Sequence, residues 1–293
     1  MKQPRTSQYF DADIQRNTTE AFESPLTAYD QDVFNRRGLT KEGNLIWEVA
    51  AETILTERLW ASLDKIEPKS RKDYDASRSL AKCEDSLRDF FREHSEGVHL
   101  FDEVRLEWLV YYLSRHGELE LDTLGLAESL EVPIDNKKGH AVDLVSSTPT
   151  ERFLIEFKQP GSKEALLRAL LEISTYKREI AERIPSATPA LLIWSGSAQD
   201  NELSAMAQGN RPHLRQLFQE LGVHAYAMRW VNSRGASDPS PFESAVRALE
   251  TGTVELRNLC DFLTWNVEPR FIPDSHCNRT GTLLERRNGL KIG

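Results

Sequence analysis

Three charged residues set in apolar surroundings are where chemistry can reside in this chain. Asp143 stands in Ala141-Val142-Asp143-Leu144-Val145, and Glu156 and Lys158 stand in Phe153-Leu154-Ile155-Glu156-Phe157-Lys158. Side chains alternate between the two faces of a strand. Glu156 and Lys158 therefore project from the face of Leu154, while Ile155 and Phe157 point the other way. Lysine and glutamate are seldom buried without a partner or a ligand. A turn through 146–152 makes the two segments a hairpin that sets Asp143 beside Glu156. Paired carboxylates suit a hard divalent cation, magnesium or the manganese that can replace it, which takes oxygen ligands and keeps several waters. Such an ion polarises a phosphate, lowers the pKa of a bound water and stabilises a leaving oxygen. A lysine adds a compact positive charge beside the phosphate or orients the attacking water. The three residues thus predict phosphodiester hydrolysis, with Asp143 and Glu156 as metal ligands and Lys158 as the third catalytic residue.

The elements that must position them are read from hydrophobic periodicity and from turn signals. Residues 1–43 show no sustained period and read as an irregular arm or a few short elements. Amphipathic helices are expected over 44–63, with Ile46, Val49, Ile54, Leu59 and Leu63 apolar, and over 76–94, with Leu80, Cys83, Leu87 and Phe90 on one stripe. A basic loop at 65–72 separates them. A third helix covers 100–115, apolar through Val104, Trp108, Tyr111 and Tyr112, with the Trp and Tyr residues at 108–112 read as core, and Gly117 ends it. Residues 119–134 have room for one strand. Ala141–Val145 and Phe153–Lys158 follow as strands, and Pro160-Gly161 stops the second. A long helix spans 162–184, and the apolar run Thr188–Trp194 reads as a buried strand. Pro212 opens a short helix that Gly222 closes. Val223–Val231 reads as a last strand, before a linker at 232–241 and helical stretches at 242–250 and 254–265.

This order resembles a known family. Asp143, with Glu156-x-Lys158 on the following strand, is similar to the single Asp and the (D/E)-x-K half of the PD-(D/E)XK nuclease superfamily. Val142 stands where the name-giving proline would. The helix after the strand carries Glu172-Ile173-Ser174-Thr175-Tyr176. It resembles the Gln-x-x-x-Tyr element of the RecB-type branch, with Glu for Gln, and Glu172 and Tyr176 share a helix face at i,i+4. The resemblance implies an α/β fold with a restriction-endonuclease-like α-β-β-β-α-β core around a mixed central sheet. It covers about 99–232. A mainly helical region, 1–98, would precede this core, and a helical extension and tail, 233–293, would follow it. The superfamily often carries another acid on the helix before the sheet; of Glu103 and Glu107, which share a face, Glu107 is preferred. Gln159 is a further accessory candidate.

The implied activity is magnesium-dependent hydrolysis of DNA by an endonuclease of the restriction or defence type. A second copy of the chain or a partner subunit would assist on two-stranded substrate. Two alternatives stand beside it. One is an inactive nuclease fold kept as a binding subunit of a larger complex, which the net charge of −9 and the missing Gln favour. The other is an exonuclease or repair nuclease of the RecB-type branch. Plainer readings exist for every residue: a solvated strand face with a surface ion pair for Glu156 and Lys158, a structural aspartate near a turn for Asp143, and a loop position for His140. Phosphate-gripping basic residues are sought in the 65–72 loop and in the tail, at Arg279, Arg286, Arg287 and Lys291. The acidic total does not forbid a nucleic-acid substrate, because phosphates respond to a local basic face. Cys83, Cys260 and Cys277 are far apart and form no CxxC pair, which argues against a disulfide framework or a zinc site. No signal peptide or membrane span is evident, so a reducing cytoplasm is expected. No Gly-rich phosphate loop marks a nucleotide motor.

Overall fold

The computed structural model describes residues 11–23, 32–36, 38–69, 79–93, 103–134, 141–233 and 241–274. Its centre is a six-stranded mixed sheet in the order β1 (Leu126–Pro133), β2 (Ala141–Ser147), β3 (Arg152–Lys158), β4 (Thr188–Trp194), β5 (His224–Asn232) and β6 (Leu263–Phe271). The first three strands are antiparallel, β3, β4 and β5 are parallel, and β6 returns antiparallel to β5. The parallel step from β3 to β4 needs a crossover, which α6 (Leu166–Glu179) provides.

Helices cover both faces, so the central strands are apolar on both sides. On one face α1 (Asp11–Glu23), α2 (Asp32–Asn35), α3 (Ile46–Thr56), α6, α7 (Ala198–Ala207) and α8 (Pro212–Leu221) pack on Leu154, Leu191, Ile193 and Ala225. On the other, α4 (Leu80–Glu93), α5 (Glu103–Gly117) and α9 (Pro241–Glu250) pack on Leu144, Ile155, Phe157 and Leu192. Tyr111 and Tyr112 are core residues, as expected, whereas Trp108 is only half-buried against the same core. The N-terminal helices share a core with the sheet: Ile14, Phe34 and Ile54 are fully buried together with Leu154. Glu48 of α3 ties the two regions further, accepting the His213 and Leu214 amides at the start of α8 at 2.8 and 3.3 Å.

Gly125 joins a short 3-10 turn to β1 at φ 71°, where a Cβ would fall 1.9 Å from the Ser147 carbonyl oxygen. Only glycine meets both demands.

The structure corrects several expectations. Residues 254–265 are not a helix. A 3-10 turn at Leu256–Asp261 leads into β6, so the C-terminal extension completes the sheet. Leu263, Trp265 and Val267 are buried while Thr264, Asn266 and Glu268 are half-buried, a period of two that a window begun in the turn conceals. The helix expected over 44–63 breaks after Thr56, where Arg58 takes φ 54°, and continues as a 3-10 turn. The helix expected over 162–184 is confined to Leu166–Glu179. Helices α1 and α7 were not anticipated. For α7 a signal exists: the Ser197 hydroxyl caps it by accepting the Asp200 amide at 3.2 Å. No described helix is long and apolar enough to cross a membrane.

Candidate active site

The hairpin pairing sets Leu144 opposite Ile155 and Val145 opposite Leu154. One further step along that register brings Asp143 opposite Glu156. There a side chain takes over from the ladder: Asp143 Oδ2 accepts the Phe157 amide at 2.7 Å. On its other edge β3 stays paired to β4 as far as Lys158 and Ile193. Glu156 and Lys158 therefore sit on a strand held rigidly from one side, next to a carboxylate that has replaced a backbone partner on the other.

Lys158 is the hub. Its Nζ lies 2.7 Å from Glu156 Oε1, 3.4 Å from Glu103 Oε1 and 3.5 Å from Glu164 Oε2. Glu103 Oε2 also accepts the Gln159 amide at 3.1 Å. Glu164 reaches Arg168 at 3.7 Å, and Glu172 accepts the Tyr176 hydroxyl at 2.9 Å. Glu107, Glu156 and Lys158 are each 3% exposed, so the strand pair is buried and is no solvated surface ion pair.

Negative charge is in excess. Among the described residues, Glu103, Glu107, Asp143, Glu156, Glu164 and Glu172 form one interacting group of carboxylates, with Lys158 and Arg168 as cations within it. Burial, then Asp143 and Glu172, push the Glu156 carboxyl well above the ordinary range, against the pull of Lys158. Asp143 is raised for the same first reason and by Glu107, with Lys158 and the Phe157 amide opposing. Glu107 is raised by burial, Glu103 and Glu156. Glu172 is raised by burial, with Lys158 countering. Burial works against the Lys158 charge, but Glu156, Glu164, Glu103 and Asp143 overcome it and hold the ammonium well above its usual value.

Among the described residues no three His, Cys, Asp or Glu side chains already form a metal-binding group. The donor chemistry nevertheless suits a hard cation. All the donors are carboxylate oxygens, and Glu156 Oε2 is buried with no hydrogen-bond partner. A buried acceptor left in that state costs free energy that a bound cation would recover. Asp143 and Glu156 are the pair that would hold it.

No family model, curated protein or solved structure matches this chain. The reading of the site rests on its own geometry.

That geometry re-weights the accessory residues. Glu103, not the preferred Glu107, makes direct contact with Lys158 and with the Gln159 backbone, because it stands in the first turn of α5, at the sheet end. Gln159 takes part through its main-chain amide. Glu164 was missed: the helix expected over 162–184 would enclose it, whereas the structure leaves it in the loop between Pro160-Gly161 and α6. His140, the tail residues Arg279, Arg286, Arg287 and Lys291, and the end of the 65–72 loop lie outside the described residues. Within that loop Lys69 pairs with Glu179.

Proposed function

We propose that this chain is a divalent-metal-dependent nuclease that hydrolyses phosphodiester bonds in DNA. The observation that carries the reading is the buried meeting of Glu156, Lys158 and Asp143 in a surplus of carboxylates, with one Glu156 oxygen left unpartnered. Buried carboxylates this crowded are relieved either by binding protons or by a cation, and a divalent ion at Asp143 and Glu156 would serve in place of the protons. Asp143 and Glu156 would hold magnesium or manganese. The ion supplies Lewis-acid activation of the phosphate and of a bound water. The chain's own residues do the remainder. The Phe157 amide fixes the Asp143 carboxylate. Lys158, fully charged, offers a positive group to the phosphate as negative charge develops in the transition state. Glu103 holds the Gln159 backbone and so the end of the strand that carries both residues. The resemblance to the PD-(D/E)XK superfamily, and to its restriction and defence members, agrees with this assignment.

Cleavage of supercoiled plasmid with magnesium tests it. Glu156→Ala and Lys158→Ala are expected to lower the rate on the order of a hundredfold or more. Equal cleavage by wild type and both variants would reject the site. Preference for linear over closed DNA would select the exonuclease form. An absence of calorimetric binding to magnesium and manganese would leave a nuclease fold kept as a binding subunit.

A further inference from the structure

We propose that Glu164 is a positioning residue for Lys158, and that Gln199 acts through Glu164 by holding its loop. The proposal rests on the nuclease reading of the site and adds two residues to it.

The argument begins with a conflict. Glu156 is the nearest partner of the Lys158 ammonium, at 2.7 Å, and is also one of the two groups suited to a cation. A divalent ion held by Glu156 would compete with Lys158 for that carboxylate and would repel the ammonium beside it. Lys158 then needs other anions to stay in place. Two are already in reach: Glu103 at 3.4 Å and Glu164 at 3.5 Å. Glu103 also serves the Gln159 amide. The Glu164 oxygen that faces Lys158, Oε2, is also 3.7 Å from Arg168, four residues on, which helps to hold it.

Glu164 belongs to no strand, so its position depends on what holds the loop 159–165. That loop is clamped from three directions. Within it, the Ser162 amide donates to the Gln159 carbonyl at 3.1 Å and the Glu164 amide to the Ser162 hydroxyl at 3.3 Å. From the N-terminal region, Asn35 Oδ1 accepts the Ala165 amide at 3.1 Å. From the first turn of α7, Gln199 Nε2 donates to the Glu164 carbonyl at 2.8 Å and to the Ser162 carbonyl at 3.4 Å. Gln199 is 1% exposed, and its Oε1 has no hydrogen-bond partner. A leucine or methionine would fill the same volume without orphaning a buried oxygen. The amide is therefore there for its two donated bonds, and those bonds end on the backbone that carries Glu164.

The test uses the full chain with Glu164→Gln, Glu164→Asp, Gln199→Met and the double variant Glu164→Gln/Gln199→Met. One readout needs no activity: the rate at which an amine-reactive reagent modifies Lys158 in the presence of magnesium, followed by peptide mass spectrometry. Glu164→Gln is expected to speed modification severalfold, Gln199→Met to do so less, and Glu164→Asp to stay near wild type. The second readout is turnover. Glu164→Gln should lower kcat by roughly ten- to a hundredfold with KM little changed, as expected of a misplaced group. The double variant should be no worse than Glu164→Gln alone, because Gln199 acts through that residue. Wild-type modification rates in Glu164→Gln would overturn the proposal even if the plasmid is cut. Strictly additive effects in the double variant would remove Gln199 from it. If wild type cuts no DNA, the nuclease reading fails, and the modification rates alone decide whether Glu164 holds Lys158. Should Gln199→Met fail to fold, the two Glu164 variants carry the decision.

Discussion

Lys158 neutralises Glu156 from two residues away on the same strand, at 2.7 Å, with both residues 3% exposed. The two are not equivalent partners. Lys158 has further carboxylates around it, whereas among the described residues Lys158 is the cation that offsets Asp143 and Glu172 at Glu156. Removing the lysine strands several buried negative charges, while removing the glutamate charge relieves the excess. Lys158→Met should therefore destabilise the metal-free protein by about 3 kcal/mol or more, and Glu156→Gln by less than about 1 kcal/mol. Urea unfolding at neutral pH measures both. Equal losses would show that the pair is balanced and the surplus of charge unimportant.

The raised carboxyl groups set a pH dependence. Glu107, Asp143, Glu156 and Glu172 all bind protons more tightly when folded than the ordinary 4.5, or 3.8 for Asp143, allows. The folded state then holds more protons than the unfolded one above those ordinary values, so stability falls as pH rises. This contribution is complete below the ordinary carboxyl range and disappears as pH passes the raised values. A thermal midpoint that declines on going from about pH 5 to about pH 8 in chelator is the expected result. Glu107→Gln should flatten the decline and raise the midpoint at the upper end. A midpoint that climbs with pH in that interval would contradict the charge crowding.

Magnesium should reverse the trend. Cation and proton compete for the same oxygens, so the stabilisation given by the metal grows with pH. Comparing midpoints with magnesium and with chelator across the same interval checks this. The same shift in Asp143→Ala/Glu156→Ala would place the ion elsewhere.

Glu48 closes the N-terminus of α8 from a helix 165 residues earlier in the chain, accepting the His213 and Leu214 amides. A lost helix cap costs about 1 kcal/mol. Glu48→Ala should lower stability by that amount and leave the modification rate of Lys158 untouched, since neither amide belongs to the site. An unchanged unfolding midpoint would mean that water replaces the carboxylate without loss.

Gly125→Ala places a methyl group 1.9 Å from the Ser147 carbonyl oxygen at a positive φ. Steric conflict and backbone strain combine there, and a loss of about 3 kcal/mol is expected in urea unfolding. Since Ser147 pairs with Leu126, hydrogen exchange should quicken first at the β1 and β2 amides. Uniform exchange across the sheet would instead indicate global destabilisation alone.

The amino-acid order by itself determined that Glu156 and Lys158 share a face, that Asp143 lies on the preceding strand, and that all three sit among apolar neighbours. A period of two is local, and it survives whatever surrounds it. Tyr111 and Tyr112 were legible as core for the same kind of reason, while Trp108 lies half-buried against it. Local order could not decide which acid meets the ammonium. Glu103 and Glu107 are one helical turn apart and look alike, and only the placement of α5 against the end of β3 puts the former on Lys158. Glu164 comes from a loop whose course depends on Asn35 and Gln199, far from it in the chain. Strand β6 reads as helix until β5 offers it a partner, because a strand's hydrogen bonds are made with another segment while a helix makes its own. Charge crowding is likewise a property of the assembled fold. Six carboxylates spread from Glu103 to Glu172 act on one another only once the chain has brought them together.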